Sequence, residues 1–320
     1  MATWCVTSMV RASQKQLERF VKHYVGLGAD RIYLFHDDPS FASIVEHRKV
    51  KNIVCDDGYW QGRRPDDART RQRTNATKAF KWTDADWILH CDHDELILAN
   101  QPVAEMLDAL DDNVMSVLAP PMEAIYDAEP TAENCYDTPW FKRPMPGSHY
   151  DTPWFRRPMQ DKGDIHPVLL KCLGEAAYLT ERGFTGHLEG KSFTRRSLYA
   201  GRIPIHSHGV VPEGLVANVT PPGLALMHFD CLTFTDWREK NLRRISKQIV
   251  SERVPKLRAL QWNAIAEAQA QGGDEALHQL YLRLNVLDAE TIIMAQKDGF
   301  IQFVERRLPE EATSGSKLTT

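Results

Sequence analysis

Long apolar runs are missing from this sequence. No stretch approaches the roughly 18 consecutive apolar residues that a membrane-spanning helix requires, so no transmembrane segment is expected. An excess of positive charge is missing too. Lys and Arg number 39 against 43 Asp and Glu, a formal net charge of −4, which gives no global signal for a nucleic-acid partner. Cysteine is sparse: Cys5, Cys55, Cys91, Cys135, Cys172 and Cys231 are scattered and form no Cys-x-x-Cys pair. That spacing argues against structural zinc and a small disulfide scaffold, and fits buried thiols in a reducing compartment. The first residues, Met1 to Val6, lack the charged-then-apolar plan of a secretory leader, so a cytoplasmic location is expected. What is present, 42% hydrophobic and 26% charged residues over 320 positions, is the composition of an ordinary globular protein. The length allows one large α/β domain with additions, or two domains.

The most informative stretch is Trp87-Ile-Leu-His-Cys-Asp-His-Asp-Glu95. It starts as a short apolar run with an aromatic and a β-branched residue, the pattern of a buried strand. It then turns acidic at Asp92, Asp94 and Glu95. If extension continues that far, strand alternation points Asp92 and Asp94 the same way. Two carboxylates aimed at one point repel unless a cation lies between them, and hard oxygen donors suit Mg²⁺ or Mn²⁺. The bland alternative is a strand running into a solvated acidic turn, because a bare Asp-x-Asp arises often by chance.

The segments before it supply a setting. Trp4 to Met9 reads as a strand. Ser13 offers an N-cap with Gln16 completing a capping box, and Leu17, Phe20, Val21, Tyr24 and Val25 form a helical stripe stopped at Gly26 and Gly28. Arg31 to Phe35 and Val50 to Cys55 read as further strands, the first ended by the turn His36 to Ser40. Asp66 to Trp82 is expected to be a helix leading into the acidic strand. This alternation predicts an α/β fold with a mostly parallel central sheet covered by helices. Ligands of such sheets bind outside the carboxyl ends of the strands, where Met9 to Arg11, His36 to Asp38 and Asp92 to Glu95 fall.

Further on, Pro102 to Leu110 is expected to be a helix with Asn100 as its cap, and Val114 to Leu118 a strand. Ala119 to Pro167 shows little periodicity and holds a repeat: Tyr136 to Met145 recurs almost unchanged as Tyr150 to Met159. Either the duplication is tolerated in a surface loop, or it forms an acceptor-facing lid. In the lid, Trp140 and Trp154 would stack on a sugar, and Lys142-Arg143 and Arg156-Arg157 would meet anionic groups. Val168 to Cys172 reads as a strand. Gly186 to Ser192 imitates a phosphate-binding loop but has three residues, not four, between the first Gly and Gly-Lys, so that reading is rejected. Ile203 to Gly209 and Leu224 to His228 each carry His to the end of an apolar run, and His accompanies carboxylates around divalent ions. From Thr235 the pattern is helical, broken at Gly272-Gly273 and ending near Arg307. Its basic face is read as solvated, with peripheral contact to anionic membrane as the alternative.

Several of these segments together resemble a known family. "VKHYVGLGADRIYLFHDDPS" (Val21 to Ser40) followed by "DADWILHCDHDELI" (Asp84 to Ile97) resembles a glycosyltransferase of the family 2-like branch with the GT-A fold. "GFTGHLEGKSFTRR" (Gly183 to Arg196) and "RIPIHSHG" (Arg202 to Gly209) are similar to later segments of that branch. The chain departs from it at Ala12-Ser13, where the family has Asn-Glu, and in the Tyr136 to Met159 duplication. The resemblance implies a GT-A-like catalytic domain over 1–232, with a Rossmann-like nucleotide-sugar half at 1–118 and an acceptor and metal-completing half at 119–232. A helical region over 233–308 and a disordered tail over 309–320 would follow.

The implied activity is transfer of a sugar from a nucleotide-diphosphate sugar, foremost a UDP-sugar, to a carbohydrate or glycolipid hydroxyl, with Mn²⁺ or Mg²⁺ and with inversion. In that reading Asp92 and Asp94 hold the metal, completed by His206 or His208, with His228 as a further candidate. Thr7, Ser8, Arg11 and Asp37 hold the nucleotide with Asp92. Lys191, Arg195 or Arg202 offset the leaving-group charge, and Glu189 or Asp164 is the base. Rival readings are a nucleotidyltransferase or metal-dependent phosphohydrolase, which also use paired carboxylates on an α/β sheet, and a non-catalytic carbohydrate-binding protein.

Overall fold

A computed structural model describes residues 1–145, 165–230, 232–248 and 256–305. The first elements are β1 (Trp4–Val10), α1 (Gln14–Gly26), β2 (Arg31–His36), β3 (Val50–Val54), α2 (Asp57–Trp60) and α3 (Ala68–Trp82). There follow β4 (Trp87–His90), β5 (Glu95–Ala99), α4 (Val103–Asp108), β6 (Ser116–Ala119), β7 (Pro121–Ala124) and β8 (Trp140–Lys142). The last are α5 (Pro167–Leu173), β9 (Lys191–Arg195), β10 (Leu224–His228), α6 (Phe234–Gln248), α7 (Lys256–Asn285), α8 (Ala289–Lys297) and β11 (Ile301–Phe303). The described residues thus form a mixed α/β protein. None of their helices is long and apolar enough to cross a membrane.

The chain divides into two compact units. The first takes Met1–Leu118 and Ser192–Gly223, the second Ala119–Lys191 and Leu224–Val304.

The first unit is built on a sheet of order β3-β2-β1-β4-β9-β6. Strands β3, β2, β1 and β4 run parallel, and β9 runs antiparallel to β4. Successive residues of β1 face opposite ways, as strand alternation requires. Trp4 packs on Tyr24 of α1 and on Phe193, while Cys5 packs with Ala76 and Ala79 of α3. Helices α1 and α3 therefore cover opposite faces of the sheet. The capping box starting α1 is complete: the Gln16 amide donates to Ser13 Oγ, and Gln16 Oε1 accepts from the Ser13 amide at 2.9 Å. Such a cap contributes about 1 kcal/mol. Leu17, Phe20, Val21 and Tyr24 are its buried stripe, and the chain leaves the helix through Gly28 at φ +90°, a conformation that favours glycine.

Three local expectations for this unit differ from the structure. Extension of β4 stops at His90, and a turn closed by the Glu95 amide on the Asp92 carbonyl (3.1 Å) replaces it. Helix α4 begins behind Pro102, which stands at the N-cap position and has no side-chain acceptor, and Asn100 lies two residues before it. Ile203 to Gly209 is irregular, so strand alternation says nothing about its histidines.

In the second unit β11, β8, β7 and β10 lie in that order in a sheet, with β7 and β10 parallel and β8 antiparallel to both β7 and β11. The segment expected to lack structure after Ala119 thus supplies two strands, and the first repeat copy contains β8. Val168 to Cys172 is not a strand but part of helix α5. Pro167 occupies its first turn and the His166 ring accepts the Val168 amide, a start signal that outweighs the short apolar run. Leu169 and Leu173 pack with Ile292, Phe300 and Ile301. Trp237, Ile265, Leu277 and Tyr281 form a second cluster between α6 and α7. The break expected at Gly272-Gly273 is a non-helical residue inside α7, Gly273 at φ 58°. Ile249, Val250, the second repeat copy and the tail 309–320 lie outside the described residues.

Candidate active site

The connections of the first unit leave β1 in opposite directions. From β1 the chain steps outward through β2 to β3, then returns through α3 to β4 on the other side of β1. That reversal is a topological switch point, and ligands of open α/β sheets bind at the carboxyl ends of the strands there. Thr7 of β1 stands beside His90 of β4, and the Cys91 amide donates to the Thr7 carbonyl at 3.2 Å. The acidic turn 92–95 therefore opens directly from the switch point.

Thr7 and Ser8 are 1% and 0% exposed. Neither hydroxyl has a hydrogen-bond partner among the described residues. Buried hydroxyls without partners cost free energy; the two lie in the middle of β1 and, by strand alternation, Thr7 faces the α3 side of the sheet and Ser8 the α1 side. Asp37, just past β2, is held by Arg71: Nε to Oδ1 at 2.8 Å and Nη2 to Oδ2 at 3.0 Å, with Arg64 at 3.2 Å. Arg11 is exposed and pairs with Asp38 at 3.4 Å. Asp92 accepts the Gln72 side-chain amide at 2.9 Å, and its backbone amide donates to Glu95 Oε2 at 2.8 Å. Asp94 and Glu95 are buried, and the Tyr24 hydroxyl of α1 donates to the Glu95 carbonyl at 2.9 Å.

The donor set of the turn fits a hard divalent ion. It offers the Asp92, Asp94 and Glu95 carboxylates, with the His93 ring among them. Of the histidines expected to complete a metal site, His208 is engaged elsewhere. His208 is buried, its Nε2 lies 2.8 Å from Thr194 Oγ1, its backbone amide donates to Asn218 Oδ1, and Tyr199 packs edge-on against its ring. Burial pulls its pKa down to about 4. His206 is half-buried in the irregular segment. Arg202 is exposed and its carbonyl accepts the Tyr199 hydroxyl. Arg195 pairs across from Trp87, and its guanidinium lies over that ring at 4.7 Å. That is the amino end of β4, away from the acidic turn.

The second unit carries a separate charged cluster. Glu123 of β7 and Lys142 of β8 form a wholly buried pair, Nζ to Oε1 at 2.5 Å. Glu123 also accepts the Thr185 amide and hydroxyl, both at 2.9 Å, and the Gly186 amide at 2.7 Å. Burial alone would raise the Glu123 carboxyl; the Lys142 ammonium is the strongest opposing influence, and the group ends below its ordinary value. His228 stands beside Glu123 in the parallel register, and Asp230 pairs with Lys240 at 2.6 Å. Burial pushes Asp230 up, but Lys240, His228, Arg244 and Arg258 together bring it well below the carboxylate range. Lys191 is buried at the start of β9, Glu189 is exposed, and Asp164 lies outside the described residues. Trp140 packs edge-on to Phe303 at 5.2 Å.

No family model matches the chain, and no curated protein matches it. Among solved structures it is similar to the mannosyltransferase PcManGT from Pyrobaculum calidifontis in complex with GDP-Man and Mn²⁺. That match has 10% identity, 92% of this chain and 75% of the other covered, and a TM-score of 0.36. It is also similar to HddC from Yersinia pseudotuberculosis, at 9% identity, 75% and 97% coverage and a TM-score of 0.35. For the mannosyltransferase Ktr4p from S. cerevisiae the values are 10%, 40% of each chain and 0.23. Likenesses this weak do not fix an activity.

Two site residues have no forewarning in the sequence. Arg71 and Gln72 sit in a polar helix with no motif, and only the packing of α3 brings them to Asp37 and Asp92.

Proposed function

We propose that this chain is a divalent-metal-dependent glycosyltransferase that moves a sugar from a nucleotide-diphosphate sugar, a UDP-sugar first among them, to a carbohydrate or glycolipid hydroxyl. The observation that carries the reading is the acidic turn 92–95 opening at the switch point of the parallel sheet, past the β4 residue that pairs with Thr7. Breaking the sugar–phosphate bond leaves a diphosphate of growing negative charge. A bound Mn²⁺ or Mg²⁺ supplies Lewis-acid stabilisation of that charge. Asp92 and Asp94 are the residues assigned to hold it. Thr7 and Ser8 are assigned to accept and donate hydrogen bonds with the nucleotide. Asp37 is gripped by two guanidinium groups, and in this reading it fixes the wall of the nucleotide site. For transfer with inversion the acceptor hydroxyl must lose a proton to a carboxylate, and Glu189, exposed, is assigned that part on chemistry alone. A cytoplasmic setting belongs to the same proposal; the five described cysteines are free thiols.

The test is incubation with Mn²⁺ and a panel of nucleotide sugars, reading the products. Release of a nucleoside diphosphate with a transferred sugar supports the proposal. Release of pyrophosphate or inorganic phosphate makes the chain a nucleotidyltransferase or phosphohydrolase instead. Sugar binding with no turnover and no metal-dependent thermal shift makes it a carbohydrate-binding protein.

A further inference from the structure

The buried Glu123–Lys142 pair has no part in the reaction proposed above, and such a pair adds little stability over apolar side chains of the same size. Its carboxylate does what no apolar side chain could. Oε1 accepts the Thr185 amide and hydroxyl, both at 2.9 Å, and Oε2 accepts the next amide, that of Gly186, at 2.7 Å. From α7 the buried Gln261 side-chain amide donates to the Thr185 carbonyl at 3.2 Å. Just upstream, Glu181 and Phe184 exchange both main-chain bonds, at 2.8 and 3.0 Å. Gly186 has no room for a side chain: a Cβ there would lie 2.9 Å from Glu123 Oε2 and 2.9 Å from His228 Cε1. Glu123 and His228 are neighbours in the register of β7 and β10, so the chain is clamped at 185–186 against two adjacent strands. Past the clamp His187 and Glu189 are exposed, and Gly190 and Lys191 are buried again. Strand β9 follows at once. It runs antiparallel to β4 with Phe193 beside Leu89, so it starts at the carboxyl end of β4.

We infer that Glu123, paired with Lys142, is a positioning residue that fixes the loop 187–189 in one conformation and so presents Glu189 to the acceptor hydroxyl. The inference rests on the proposed sugar transfer and on the part assigned there to Glu189, and it deepens both. A base must lie within hydrogen-bond reach of the proton it takes. On a loose loop it would spend most of its time elsewhere, and a misplacement of about 1 Å can cost on the order of a hundredfold in rate. The clamp removes that freedom before the acceptor arrives. Lys142 supplies the charge that lets both Glu123 oxygens act as acceptors, 2.5 Å from one of them. An apolar pair would leave the Thr185 and Gly186 amides without their partners and the loop without its anchor.

The experiment compares two variants of the full chain. Gly186→Ala pushes the loop off its clamp without removing a buried charge. Glu123→Gln keeps the shape and loses one acceptor oxygen. Amide hydrogen exchange is read over 185–190 and over α7, beside steady-state transfer with Mn²⁺ and the nucleotide sugar that the panel above selects. In both variants exchange over 185–190 should quicken by about tenfold, the equivalent of one lost hydrogen bond, while α7 is unchanged. The kcat for transfer should fall by about tenfold to a hundredfold with the donor KM within about twofold of wild type. Thr185→Val deletes the hydroxyl and leaves both amides on Glu123, so its loss of kcat should be much the smallest. A Gly186→Ala chain with kcat within about twofold of wild type would overturn the role, as would unchanged exchange over 185–190. Faster exchange that spreads through α7 in both variants would make Glu123 a structural residue and overturn it too. A wild-type chain that transfers no sugar would overturn the function beneath the inference, and is told apart because it involves no substitution.

Discussion

Replacing Lys142 by Met would leave the Glu123 carboxylate buried without its counter-charge. The two side chains are 0% and 2% exposed and 2.5 Å apart, so neither has water to fall back on. Removing one partner of such a pair costs about 3–5 kcal/mol. Glu123 keeps three donors, the Thr185 amide and hydroxyl and the Gly186 amide, which places Lys142→Met at the lower end, about 3 kcal/mol. Glu123→Leu should be worse. It strands the Lys142 ammonium and orphans those donors, each worth about 1–3 kcal/mol when left unsatisfied. The assay is urea unfolding at pH 7 and near pH 4. In the wild type the Glu123 carboxyl lies below its ordinary value, so the contribution of the pair is present at neutral pH and fades as pH falls through the folded-state value. In Lys142→Met that carboxyl loses its strongest support and titrates higher. It becomes neutral on acidification, and the gap between variant and wild type narrows. A Lys142→Met chain within about 1 kcal/mol of wild type at pH 7, or a Glu123→Leu chain milder than Lys142→Met, would refute the reasoning.

Asp94→Asn should remove most transfer activity while leaving the thermal transition in place, because a neutral amide binds a cation weakly; normal turnover at limiting Mn²⁺ would remove Asp94 from the site. Thr7→Val deletes a buried hydroxyl that bonds nothing among the described residues, so the melting temperature should hold or rise while the KM for donor increases severalfold. An unchanged donor KM would count against the nucleotide contact. His208 is buried neutral with its pKa drawn down to about 4, so between its ordinary value and 4 the unfolded chain takes up a proton that the folded chain refuses. Stability should fall as pH drops through that window, by roughly 1–2 kcal/mol after allowance for screening, and His208→Gln should flatten the slope. A slope that survives this substitution would assign it to other groups.

Much of the first unit is legible in the sequence because its signals are local. The Ser13–Gln16 box, the Leu17 to Tyr24 stripe and the apolar start at Trp87 each lie within one or two turns or strands. The path of the chain past His90 is less legible, since strand and tight turn look alike over four residues of which three are acidic. Val168 to Cys172 shows the same limit: five residues, four of them apolar, fit a strand or a helix, and the decision lies with Pro167 and the His166 ring. The strands β7 and β8 are four and three residues long, too short for a period to show amid prolines. Lys142 reads as a surface cation because nothing nearby in sequence announces Glu123. Gln72 is invisible for a related reason, since its partner lies 20 residues away and the contact exists only once α3 docks.

The first sheet has a consequence for the order in which the chain can fold. Strand β9 pairs directly with β4, yet it is translated about a hundred residues later, after the second unit has begun. At synthesis rates of about 5–20 residues per second, that delay lasts on the order of 5–20 s. Throughout it the outer edge of β4, with Trp87, Ile88 and Leu89 destined for full burial, has no strand to pair with. An apolar edge with open main-chain groups is a template for another strand. The nascent chain at this stage therefore carries an edge open to pairing with another chain. Slower elongation between codons 90 and 190 should lower soluble yield more than equal slowing elsewhere, and a holding chaperone present during translation should restore it.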